Sequence, residues 1–207
     1  MDAALSAGAD LVGLVFFPPS PRAVTPLGGA DLAAVARGRA AVTALLVDAE
    51  DEFIRDVVSR VNPDFLQLHG VETPQRVAEI RACFGKPVMK ALAISSAGDL
   101  AGVSAYEAVA AGVLYDAKPP KDADRPGGHG RVFDWNLLAE VSRKKPMMLS
   151  GGLNPDNVAD AIRAVRPDGV DVSSGVEDAP GVKSTAKISS FVMNARAAAQ
   201  ALQEKVS

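Results

Sequence analysis

A chain of 207 residues that is 48% apolar can bury a sizeable core, and a formal charge of −3 gives no electrostatic footprint for a nucleic-acid partner. Its one cysteine, Cys83, excludes an internal disulfide or a cysteine metal cluster within one chain, and aromatic residues at 5% offer no stacking platform for single strands. The opening MDAALSAGADLVGLVFFPP has neither a basic leader nor an apolar run long enough for a membrane span, so the chain reads as a cytosolic domain over residues 1–207.

Residues 1–5 read as the remnant of a helix, followed by the closing turn Gly8-Ala9-Asp10. Seven short, nearly continuous apolar runs then follow: LVGLVF (11–16), AVTALLV (41–47), DFLQL (64–68), PVMKAL (87–92), GVLYDA (112–117), PMMLS (146–150) and GVDVS (169–173). Runs of this kind are strands covered on both faces. Between them lie helical stripes such as Ile54, Val57, Val58 and Val61, or Val158, Ala161, Ile162 and Val165. Thr25-Pro26, Thr73-Pro74 and Asn154-Pro155 each place a capping side chain before a proline suited to a first helical turn. The polar turns GAD (8–10), NPD (62–64) and RPD (166–168) close helices and launch strands, while Cys83, at the tail of a predicted helix, reads as a small packing residue.

Regular β/α alternation with no dinucleotide fingerprint after the first strands predicts a (β/α)8 barrel in preference to a doubly wound sheet. The first of the eight strands is missing, so the seven runs count as strands 2 to 8. In such a barrel, reactive groups gather at the C-terminal ends of strands, and phosphate commonly binds in the last two loops. Those loops are Ser150-Gly151-Gly152 and Ser173-Ser174-Gly175, each followed by a segment able to begin a helix. Gly151, Gly152, Ser173, Ser174 and Gly175 are therefore the candidate phosphate cradle.

Further polar groups fall at strand ends. Arg22, in FFPPSPR, is either a solvated loop charge or a planar fork for a carboxylate. His69, in LQLHG, is either a satisfied imidazole or a substrate contact. Asp116, in VLYDAK, directly follows apolar residues, where burial would favour its protonated form and suit it to general acid work; the alternative is an ion pair with Lys118. Asp171, within the last strand, completes the ring. The long loop KPPKDADRPGGHGRVFDW (118–135), containing His129, reads as a cover over the substrate. Two histidines without paired helical spacing, and no carboxylate cluster, predict no catalytic metal.

The motifs GADLVGLVFFPPSPRAVTP, FLQLHGVETP, LYDAK, GGHGRVFDW, LSGGLNPDNVADAI and RPDGVDVSSGVEDAPGVK, in this order, make the chain resemble the phosphoribosylanthranilate isomerase family over essentially its whole length. The resemblance implies a cofactor-free Amadori rearrangement of a phosphosugar substrate, with Asp116 as general acid, Arg22 on the anthranilate carboxylate and Asp171 facing the ribose-derived hydroxyls. It also implies a cysteine base on a first strand with a K-I-C-G type motif. That motif does not occur in these 207 residues, and Cys83 does not replace it. The sequence therefore leads us to expect a start upstream of Met1 and impaired activity of these residues alone, with a non-catalytic phosphosugar-binding barrel as the alternative.

Overall fold

The computed structural model describes residues 1–118, 127–128, 133–139, 141 and 143–204. Seven parallel strands form one sheet in chain order: β1 (Leu11–Val15), β2 (Ala41–Leu46), β3 (Phe65–Leu68), β4 (Val88–Ile94), β5 (Gly112–Ala117), β6 (Met147–Leu149) and β7 (Gly169–Val170). Helices alternate with them: α1 (Asp2–Ala7), α2 (Pro26–Ala36), α3 (Asp51–Val61), α4 (Pro74–Phe84), α5 (Val103–Val109), α6 (Asn136–Ala139), α7 (Val158–Val165) and α8 (Thr185–Glu204). This is the (β/α) barrel plan with seven of its strands. Among the described residues, no helix is long and apolar enough to cross a membrane.

The chain divides into two compact units, Met1–Leu92 with Gly102–Val113, and Ala93–Ala101 with Leu114–Ser207. In the first, Thr25 and Thr73 cap α2 and α4 through their hydroxyls, which accept from Gly28 N at 3.1 Å and Arg76 N at 3.2 Å. Ile54, Val57 and Val61 bury one stripe of α3, with Val58 half-buried beside them. That helix ends on Asn62 in the left-handed conformation, φ 44°. The NPD turn does more than reverse the chain: Asp64 exchanges two hydrogen bonds with Val42 at the start of β2, its Oδ2 accepting from Val42 N at 2.7 Å and its N–H donating to Val42 O at 2.8 Å.

The second unit repeats the device. The stripe Val158, Ala161, Ile162 and Val165 is buried, α7 ends on left-handed Arg166, and Asp168 exchanges bonds of 2.8 and 2.9 Å with Met147 at the start of β6. Four expectations need correction. Asn154 does not cap a helix: its Oδ1 accepts from the N–H groups of Asp156 and Asn157, forming a tight turn, and α7 begins only at Val158. Strand β7 is two residues long, so Asp171 lies just beyond it and not within it. The segment after Gly175 forms an unforeseen antiparallel hairpin, β8 (Glu177–Ala179) and β9 (Val182–Lys183), because Pro180-Gly181 supplies a turn with Gly181 at φ 81°. Cys83 is also exposed on α4, so it has no packing role.

Candidate active site

In the second unit, hydrogen bonds set three strand ends side by side. Ser150 N donates to Tyr115 O at 2.8 Å and Asp171 N donates to Leu149 O at 2.8 Å, so the ends of β5, β6 and β7 share one edge. Asp116, the penultimate residue of β5, is buried, and its Oδ1 accepts from Ala117 N at 2.7 Å. Gly151 lies directly against it. With φ 85° its backbone suits glycine alone, and an added Cβ would overlap Ala117 N and stand 3.0 Å from Asp116 Oδ1.

The two small-residue loops meet. A Cβ on Gly175 would overlap the Leu153 carbonyl and stand 3.1 Å from Asn154 Cα, so the loop after β7 packs its backbone on the loop after β6. Ser150 Oγ donates to Asp171 Oδ2 at 3.0 Å, tying the loops a second time. Gly152, at φ 67°, accepts from Asn157 Nδ2 at 3.0 Å. A 3₁₀ turn over Ser174–Val176 follows Ser173 directly, whereas α7 starts beyond the Asn154–Asn157 turn. The first loop therefore presents bare backbone and not a helix end.

One cation here was invisible to sequence reasoning. Lys183, on β9, donates to Ser173 O at 2.7 Å and pairs with Glu177 Oε1 at 2.8 Å, which anchors the serine loop from the hairpin. Only the hairpin register, with Glu177 opposite Lys183, brings these groups together.

Arg22 and His69 belong to the first unit. Ala23 bridges back to Val15 and Val24 N donates to Val15 O at 2.9 Å, so the SPR loop folds over the end of β1 and leaves Arg22 half-buried there. His69 directly follows β3, and its Nδ1 lies 3.2 Å from Gln67 Nε2. Both side chains therefore sit at C-terminal strand ends. Lys118, the alternative partner considered for Asp116, lies 3.1 Å from Asp99 Oδ1. Of the expected cover, residues 119–126 and 129–132, including His129, lie outside the described residues.

The family model for N-(5'-phosphoribosyl)anthranilate (PRA) isomerase matches residues 1–194. The N-(5'-phosphoribosyl)anthranilate isomerase of Rhodopseudomonas palustris (strain BisA53) is 57% identical over 95% of this chain and 90% of its own length. A crystal structure of phosphoribosyl anthranilate isomerase from Thermotoga maritima superposes with a TM-score of 0.85 at 37% identity, over 94% of this chain and 92% of that one. Another such isomerase, in complex with reduced 1-(o-carboxyphenylamino)-1-deoxyribulose 5-phosphate, has a TM-score of 0.80 at 34% identity, over 94% and 91%. With a model matched over nearly all of its length and a relative sharing more than half of its residues, the chain belongs to the N-(5'-phosphoribosyl)anthranilate isomerase family.

Proposed function

We propose that this protein rearranges N-(5-phosphoribosyl)anthranilate to 1-(2-carboxyphenylamino)-1-deoxyribulose 5-phosphate, a step of tryptophan biosynthesis. The observation that carries the reading is the meeting of two glycine- and serine-lined loops beside the buried carboxyl of Asp116. Gly151, Gly152, Ser173, Ser174 and Gly175 hold the 5-phosphate through backbone that no Cβ obstructs. Asp116 protonates the furanose ring oxygen, and the ring opens to an iminium. Loss of the C2′ proton then gives an enolamine, which becomes the ketose. Hydrogen moves within one molecule, so the reaction needs no cofactor or metal.

Arg22 is assigned to the anthranilate carboxylate, His69 to the same end of the substrate, and Asp171 to the sugar hydroxyls. All these roles fall to one barrel domain over residues 1–207, and a charged phosphosugar substrate agrees with a cytoplasmic setting. Support comes from the relative 34% identical, whose bound reduced ligand carries the same carboxyl and phosphate groups.

The C2′ proton needs a base, and Cys83, exposed on the outer layer at α4, is at no strand end. We infer that residues 1–207 alone supply the acid and the cradle but turn over poorly. Fluorescence during turnover, compared between these residues and a chain extended by a cysteine-bearing first strand, tests the assignment. Activity restored by the extension supports it. Binding without turnover in both chains would favour a phosphosugar-binding module, and full activity of the shorter chain would overturn the assignment of the base. In the extended chain, Asp116→Asn is expected to lower kcat by about 10²- to 10⁴-fold, with affinity for the reduced ligand kept within about threefold.

A further inference from the structure

Strand β4 carries a lysine in the middle of its apolar run, and Lys90 is 1% exposed. An ammonium withdrawn from water is costly unless its protons are met. Lys90 Nζ donates to the carbonyls of Leu68 at 3.2 Å, Gly70 at 2.8 Å and Ala91 at 2.8 Å, and it lies 3.0 Å from Glu72 Oε2. Glu72 is also buried and is met in turn: Gly70 N donates to Oε2 at 3.0 Å and Asp48 N donates to Oε1 at 2.9 Å. Val71 N donates to Asp48 Oδ1 at 2.8 Å, and a Cβ on Gly70 would collide with that carboxylate. Tyr106 covers the pair, its ring 5.9 Å from the ammonium and its hydroxyl donating to Glu72 O at 3.2 Å.

The carbonyls of Leu68 and Gly70, both gripped by Lys90, flank His69. Leu68 stands opposite Lys90 in the ladder and shares its face of the sheet, whereas Gln67, which contacts the His69 ring, points to the other face. The ion pair thus clamps the histidine-bearing loop from behind. A buried pair is on balance no more stabilising than apolar side chains of similar volume, so stability alone does not account for it.

We propose that Lys90 and Glu72 are positioning residues that hold the His69 imidazole in its substrate-facing orientation and thereby set affinity for the carboxyphenyl end of the ligand. This rests on the substrate-binding role proposed for His69. The test is the double variant Lys90→Met/Glu72→Gln, which removes both charges together. Its readouts are the NMR signals of the two histidines, assigned with His129→Asn, and titrations with reduced 1-(o-carboxyphenylamino)-1-deoxyribulose 5-phosphate and with inorganic phosphate. The His69 signals are expected to shift or broaden, and affinity for the reduced ligand to fall about tenfold or more, while affinity for inorganic phosphate is unchanged. A merely structural role would weaken both ligands alike. A folded double variant with unmoved His69 signals overturns the proposal.

Should the double variant fail to fold, amide exchange in the unaltered protein decides: Gly70 and Asp48 exchanging as slowly as core amides supports the clamp, and exchange at exposed-loop rates overturns it. Should His69→Ala leave the reduced ligand's affinity intact while the double variant still moves the His69 signals, positioning stands and the role given to His69 in substrate binding falls.

Discussion

At Gly151 the space for one methyl group decides whether a loop can approach a carboxyl. The Gly151→Ala variant meets both a left-handed backbone, φ 85°, and an occupied volume, since its Cβ would overlap Ala117 N. It is expected to lose about 1–3 kcal/mol of stability, read by urea unfolding, and at least about tenfold in affinity for the reduced ligand. Asp99 gives a pH prediction. The N–H and hydroxyl of Ser95, followed by Lys118, hold its carboxyl well below the ordinary 3.8, and the Ser96 N–H adds to this. A carboxyl depressed in the folded state contributes stability above its unfolded value and loses it as pH falls. Asp99→Asn should therefore lower Tm at neutral pH and flatten the decline in Tm between about pH 5 and pH 2. Asp116 was legible in the sequence because an acid directly after an apolar run marks a strand end. Lys90 and Glu72 were not, because their meeting depends on two strands lying in register, which no spacing along the chain encodes.

At the level of elements, helix ends use one device three times. Arg37, after α2, donates to the last carbonyl of α3, Val61 O, at 2.8 Å; Arg81 of α4 donates to Val109 O of α5 at 3.0 Å; and Arg143 donates to Val165 O at 2.7 Å and Arg166 O at 2.8 Å beyond α7. Each guanidinium meets carbonyls that the next helix leaves open and neutralises the negative end of its dipole. Asp64 and Asp168 act in parallel fashion on the strands β2 and β6. Since their geometry matches, Asp64→Ala and Asp168→Ala are each expected to cost about 1–2 kcal/mol in chemical denaturation, and a difference well beyond that range would show the two clamps to be inequivalent. The turns GAD, NPD and RPD were readable as turns. That NPD and RPD also clamp the preceding strand was not, because a turn signal reports local backbone preference and not the partner of an aspartate side chain. The hairpin β8–β9 was missed for a related reason: strands of three and two residues carry no period to detect.

Across the whole molecule, the alternation of apolar runs and stripes was enough to predict all seven parallel strands in their observed order, since a strand covered on both faces must be apolar throughout. The net charge bears on recognition. A chain of formal charge −3 does not draw a ligand bearing a carboxylate and a phosphate from a distance, so capture depends on short-range contacts. The association rate of the reduced ligand, followed by stopped-flow fluorescence, is expected to change less than about threefold from low to physiological salt, and to rise if it changes at all. In each unit the aspartate clamp joins the start of one strand to the turn that launches the next, whereas the residues assigned to substrate lie at or just beyond C-terminal strand ends. Arg166, strained at φ 50° in the RPD turn, is thus a place to harden the enzyme against heat without touching its chemistry. Replacing it with glycine should gain about 0.5–1 kcal/mol, leaving ligand affinity where it was. Robustness and specificity can then evolve on separate rims, each free to change while the other stays fixed.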